Sequence, residues 1–282
     1  MTTEAVAVNT DVDRDVSGAV AIRAAFAKAS AGGRAALIPY AVAGYPDAAR
    51  SLEIALALID AGADLLEIGL PYSDPTADGL TLQRASVTAL ANGATLDRSI
   101  ELVARVHAAR PGVPLIPMGY VNQVVGGSDG STVLARLAAA GASGLILADL
   151  TPDEGADVEE SAARHGISII YLVTPTTLPA RRRMIAERST GFLYAVSLAG
   201  VTGARRSLPA GIGKFLKDVR GVSPVPVAVG FGVSRPEHAR RLAPMADGVI
   251  VASALVDSLG PDGRDVERMS ALAAALASAT RR

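Results

Sequence analysis

The stretch Ile59-Asp-Ala-Gly-Ala-Asp-Leu-Leu-Glu-Ile68 and its echo Leu137-Ala-Ala-Ala-Gly-Ala-Ser-Gly-Leu-Ile-Leu147 share one layout. A helical stretch ends at an Ala-Gly corner, and a short apolar run starts two residues later. Gly62 and Gly141 suit the left-handed conformation that closes a helix. Ahead of the first corner, Leu52, Ala55, Leu56 and Ile59 recur at helical spacing. Each copy is one helix-to-strand step, and the irregular period between copies speaks against a solenoid.

Working outward, the same alternation runs down the whole chain. Strands are expected at Ala35–Tyr40, Leu65–Gly69, Leu115–Met118, Gly144–Ala148, Ile167–Val173, Phe192–Ser197, Val225–Val229 and Gly248–Val251. Amphipathic segments between them include Ala48–Ala61, Leu96–Ala109, Ser131–Ala140, Pro179–Glu187 and Pro236–Leu242. Near-continuous apolar strands are those covered on both faces. Strand-helix units repeated this way predict an α/β fold, a single parallel (β/α)8 TIM barrel rather than an open doubly wound sheet. An extra helix at Ala19–Ser30 is expected to cap the barrel bottom. Residues 18–282 then form one catalytic domain, and the acidic stretch 1–17 reads as a disordered tail.

Bulk composition narrows the function. Half of the 282 residues are hydrophobic and the net charge is -1, with both signs interspersed. That balance offers no electrostatic case for nucleic acid or an anionic membrane. Cysteine is absent, so no disulfide framework or thiolate metal site can form. His107, His165 and His238 lie far apart, and no metal site is expected on them. The tail has neither the basic region nor the apolar core of a signal peptide, and no apolar run reaches the ~18 residues of a membrane span. A soluble cytoplasmic protein is the expectation.

One strand carries an anomaly. Glu67 sits inside the apolar run Leu65–Gly69, where an ionised acid costs several kcal/mol unless it is paired or protonated. If Leu65, Glu67 and Gly69 point one way, Leu66, Ile68 and Leu70 point toward the helices. Glu67 then faces the barrel interior near the C-terminal ends of the strands, where such barrels keep their chemistry. A buried Lys or Arg could hold it as a structural pair, but no other expected strand contains one. Weak solvation would raise its pKa toward neutrality and suit it to proton transfer. The following loop, Pro71-Tyr-Ser-Asp-Pro-Thr-Ala-Asp78-Gly79, delivers a second acid. Asp78 alone could be a helix N-cap and Asp74 a turn residue beside Pro75. At the same mouth as Glu67, Asp78 reads as a second catalytic carboxylate.

Three loops follow the last three strands: Gly200-Val-Thr-Gly203, Gly230-Phe-Gly232-Val-Ser234 and Ala252-Ser253. Each is weak alone. In register at strand ends they suggest a phosphate site built from backbone amides, a short helix N-terminus and the Ser253 hydroxyl. The residues thus predict a barrel enzyme for a small phosphorylated substrate, using carboxylate acid–base chemistry without a metal.

The chain resembles the alpha subunit of tryptophan synthase from roughly Ile22 to Val256. The likeness is carried by Ile38-Pro-Tyr-Ala-Val-Ala-Gly-Tyr-Pro-Asp47, Glu67-Ile-Gly-Leu-Pro-Tyr-Ser-Asp-Pro-Thr-Ala-Asp78-Gly79 and Met118-Gly-Tyr-Val-Asn122. Ala148-Asp-Leu-Thr-Pro-Asp-Glu154, Gly200-Val-Thr-Gly-Ala204 and Gly230-Phe-Gly-Val-Ser234 add to it. The resemblance implies retro-aldol cleavage of indole-3-glycerol phosphate to indole and glyceraldehyde 3-phosphate. It makes Glu67 the general acid–base and Asp78 the carboxylate that engages the indole N–H. Tyr194 would lie near the glutamate and Tyr120 along the indole pocket. Gly203, Gly232 and Ser253 match phosphate-binding positions, with Ala252 where the family has glycine. Thr202 would sit on a loop closing over substrate, and Asp149 would couple that closure to a partner. That partner is a pyridoxal-phosphate-dependent beta subunit in an αββα assembly; the alpha chain itself needs no cofactor.

Departures from the family pattern are Leu80 in place of proline, Ala252, the polar segment 125–131 and a short loop after Gly203. They bear on the partner more than on the cleavage residues. A stand-alone lyase of a specialised indole pathway therefore stays open. So do a barrel kept only as an allosteric partner, and a phosphate-binding barrel of the isomerase or prenyl-transfer kind.

Overall fold

Every expected apolar run becomes part of one closed ring of parallel strands. The computed structural model describes residues 16–126, 130–196, 208, 210–230 and 232–282. The strands are β1 Ala36–Val42, β2 Leu66–Gly69, β3 Leu115–Gly119, β4 Gly144–Leu147, β5 Ser168–Ile169, β6 Leu172–Val173, β7 Leu193–Val196, β8 Val227–Gly230 and β9 Gly248–Val251. Their order is β5-β4-β3-β2-β1-β9-β8-β7-β6, with parallel pairing throughout. β5 and β6 are successive pieces of one stave, so the two ends of that order meet and the barrel closes.

The split stave departs from the single strand expected at Ile167–Val173. Its amides find side chains instead of a continuous ladder: Ile169 donates to Thr190 Oγ1 at 3.0 Å and Tyr171 to Ser189 Oγ at 3.2 Å. β1 runs two residues past the expected Tyr40, because Tyr40–Val42 pair with Glu67–Gly69 of β2. Expected strand residue Ser197 lies outside the described residues, as do residues 1–15 of the expected tail.

Helices α1 Ser17–Ala31, α2 Ala48–Asp60, α3 Leu80–Ala91, α4 Leu96–Ala109, α5 Val121–Val124 and α6 Ser131–Ala139 come from the first half. The second half adds α7 Ala156–Arg164, α8 Pro179–Arg188, α9 Ile212–Arg220, α10 Pro236–Leu242, α11 Ser253–Ser258 and α12 Val266–Ala279. The glycine corners behave as read: Gly62 has φ 110° and Gly141 φ 90°, and a strand follows each.

Strand alternation divides the core into two layers. Leu66, Ile68, Leu145, Leu193, Val227 and Val249 pack outward against the helices, whereas Ile38, Leu65, Ile116, Ile146, Ala228 and Ile250 fill the barrel. Ile22 and Phe26 of α1 join the inner layer. They enter beneath the strand starts, where Gly191 and Gly248 would each bring a Cβ within 2.8 Å of them. The extra helix therefore plugs the bottom, and the opposite end is left for the site.

Candidate active site

Strand parity brings the first acid to the mouth. Leu65 belongs to the inner layer, so Glu67, two residues on, faces the same way. In β1 the same rule takes Ile38 to Tyr40, which is in register with Glu67. Glu67 is only 1% exposed. Its Oε1 atom is buried without a hydrogen-bond partner among the described residues, and burial pushes its pKa from 4.5 up to about 8. An unpaired carboxyl oxygen in a core is costly, and the cost falls on the ionised form, which favours the protonated one. The buried arginine of the barrel wall, Arg188, pairs with Glu159 instead.

Asp78 arrives on the loop after β2. It caps nothing: Gly79 occupies the N-cap of α3, with no side-chain capping bond. Burial raises its pKa from 3.8 to about 6, against the opposing pull of a hydrogen bond with Tyr120. Two tyrosines enclose the acids. Burial raises the Tyr40 hydroxyl pKa first, followed by the charges of Asp78 and then Glu67. For Tyr194 burial is again first, and Glu67 leads the charges. Glycines at the strand ends give these rings room. A Cβ at Gly69 would overlap the Tyr40 hydroxyl, and one at Gly230 would lie 2.5 Å from that of Tyr194.

The pocket above them encloses about 550 Å³ of empty space open to solvent. Tyr40, Glu67, Asp78, Leu82, Met118 and Tyr194 line it together with Gly232, Val233, Ala252 and Ser253. Gly232 and Val233 follow β8, and Ala252 and Ser253 lead from β9 into α11, whose leading amides have no partner within the helix. Thr202 and Gly203 lie outside the described residues, as do Gly200 and Phe231.

Tyr120 is not among the lining residues. It stands behind Asp78, with its hydroxyl accepting the Ala77 N–H at 3.1 Å. Asp149 is also outside the pocket, where its Oδ1 accepts the Val121 N–H at 2.8 Å. Tyr40 was missed in the sequence, although parity from Ile38 could have found it. Among the described residues no three His, Asp or Glu side chains gather as a metal site.

With this geometry in place, comparison with known proteins is specific. The family model for the tryptophan synthase alpha chain matches residues 26–281. The chain belongs to the tryptophan synthase alpha chain family. Tryptophan synthase alpha chain from Deinococcus radiodurans is 45% identical over 267 residues, covering 94% of this chain and 96% of that one. The alpha chain from a Roseiflexus species is 46% identical over 246 residues, covering 86% and 94%. In three dimensions a chain of the Mycobacterium tuberculosis tryptophan synthase superposes with a TM-score of 0.86 at 38% identity, covering 93% of this chain and 98% of that one. Membership of the alpha chain family extends over the barrel from α1 to α12.

Proposed function

We propose that this chain is the alpha subunit of tryptophan synthase, cleaving indole-3-glycerol phosphate to indole and glyceraldehyde 3-phosphate in L-tryptophan biosynthesis. The observation that carries the reading is the pair of carboxyl groups at one barrel mouth with pKa values set apart, about 8 for Glu67 and about 6 for Asp78. At neutral pH the first is mostly protonated and the second mostly ionised. Environment thus gives two like groups two roles.

Glu67 donates its proton to indole C3, leaving a carboxylate and a positively charged indolenine ring. The Asp78 carboxylate accepts the ring N–H and stabilises that charge. As the bond from C3 to the glycerol chain breaks, its electrons return to the ring, and the adjacent hydroxyl passes its proton to Glu67. Indole and an aldehyde result, and Glu67 is protonated again. Tyr194 stands beside Glu67 in the same pocket. Tyr120 holds Asp78 from behind. The phosphate sits on the amides of Gly232 and Ala252–Ser253 with the Ser253 hydroxyl, and the family resemblance adds Gly203 to them. The family resemblance gives Thr202 a part in closing over the substrate. No step needs a cofactor on this chain.

The partner is the pyridoxal-phosphate-dependent beta subunit in an αββα heterotetramer, with Asp149 on the coupling side. A cytoplasmic location is proposed from its kinship with biosynthetic tryptophan synthase alpha chains; among the described residues no helix is long and apolar enough to cross a membrane. The deciding experiment measures indole release from indole-3-glycerol phosphate by the purified chain, with and without the beta subunit of the same organism. Slow cleavage alone and faster cleavage with the partner are expected. No indole under either condition would refute the reading.

A further inference from the structure

Asp78 reaches the pocket on residues 71–79, a segment without helix or strand, so something else must hold it. From one end, Gln83 of α3 donates to the Asp78 carbonyl at 2.9 Å. The other grip comes from the turn after β3. Gln123 Nε2 donates to the Pro71 carbonyl at 2.9 Å, with the Leu70 carbonyl at 3.5 Å, while its Oε1 accepts the Tyr120 N–H at 3.0 Å. Gly119 leaves space for that amide, since a Cβ there would come within 2.7 Å of Gln123 Oε1. Tyr120 stacks on Tyr72 at 5.1 Å and accepts the Ala77 N–H at 3.1 Å, and Asn122 donates to the Tyr72 hydroxyl at 3.3 Å. α5 itself is pinned by Asp149 through the Val121 N–H.

We propose that Gln123 is a positioning residue for Asp78, a donor–acceptor amide that locks the root of the 71–79 loop to the end of β3. This rests on the function proposed above. The geometry demands both faces of an amide on one planar group. Methionine of similar length supplies neither hydrogen bond. Glutamate keeps the acceptor but sets a carboxylate against two carbonyl oxygens. Small misplacements of a catalytic group are expensive, up to ~100-fold in rate for about 1 Å.

Two measurements test it. Hydrogen exchange of the peptide spanning residues 71–79 should be faster in Gln123→Met than in wild type, while exchange in the β-strands stays unchanged. Cleavage should lose about 10- to 100-fold in kcat with a much smaller change in KM, and Gln123→Glu should resemble Gln123→Met at neutral pH. Adding Gln123→Met to Asp78→Asn should cost little more than Asp78→Asn alone, because two residues acting through one group are not additive. Unchanged loop exchange, or rate losses that multiply in the double variant, would overturn the proposal. Exchange decides the clamp even for a chain that releases no indole, an outcome that would count against the proposed function instead.

Discussion

At Glu67 a carboxyl group is held where water cannot solvate its ionised form, and the proposed chemistry follows from that. Glu67→Gln keeps the shape but removes the proton, so indole release should nearly vanish while substrate still binds; a variant retaining most of its activity would sink the mechanism. The pH profile of kcat/KM should be bell-shaped, rising near 6 as Asp78 ionises and falling near 8 as Glu67 loses its proton. Because the two acids share one pocket, those limbs describe the pair. Stability carries the same signature. The folded pKa of Glu67 lies above its ordinary 4.5, so its contribution is fully present below about 4.5 and is lost as pH rises toward 8. The stability of Glu67→Gln relative to wild type should therefore climb across that window, by an amount on the order of a few kcal/mol, and level off above it. Urea unfolding at a series of pH values measures it, and a flat difference would contradict the burial argument.

At the scale of elements, corners and clamps decide how strands meet helices. Both glycine corners have positive φ, but they differ in what surrounds them. An alanine Cβ at Gly62 would lie 3.1 Å from the Ala277 methyl, whereas one at Gly141 would run into the His107 ring. Backbone strain costs each substitution about 1–3 kcal/mol, and Gly141→Ala should lose distinctly more than Gly62→Ala in urea unfolding. Behind the split stave, Arg188 and Glu159 pair at 2.6 Å with side chains only 8% and 11% exposed, and the Tyr171 hydroxyl donates to the same carboxylate. The cluster joins α7 to α8 across the break between β5 and β6. Arg188→Met would strand a buried carboxylate and should cost about 3–5 kcal/mol. A loss under 1 kcal/mol in urea unfolding would show that the pair contributes little to the fold. Neither residue stands out in the sequence, since each looks like one charge on a solvated helix face.

At the scale of the whole molecule, α1 closes one end of the barrel with Ile22 and Phe26, so ligands have only the other end through which to enter. The proposed assembly adds a constraint there. Co-purification with the beta subunit should give a complex larger than either chain, and Asp149→Ala should weaken the stimulation of cleavage more than the slow rate of the isolated chain. Equal loss of both would remove Asp149 from the coupling role. Much of this architecture was legible beforehand. Near-continuous apolar runs marked the strands, and the Ala-Gly corners marked where helices hand over to them. Parity in Leu65-Leu66-Glu67 was enough to aim the acid inward. What stayed hidden were pairings between distant segments: Tyr40 beside Glu67, Tyr120 behind Asp78, and Ser189 and Thr190 interrupting a stave.

The order of residues alone determined the barrel class, the placement of Glu67 and Asp78 at its mouth and the family, because burial patterns and turn residues are local properties. Only the tertiary structure decided how strongly the two acids differ. Their pKa values depend on how much water the closed barrel leaves beside each group, and that is a property of every stave at once. It also decided that the loop carrying Asp78 is held from β3, through an amide forty-five residues further along the chain. Hydrogen bonds of that kind have no sequence period, because they depend on which loops the barrel brings side by side.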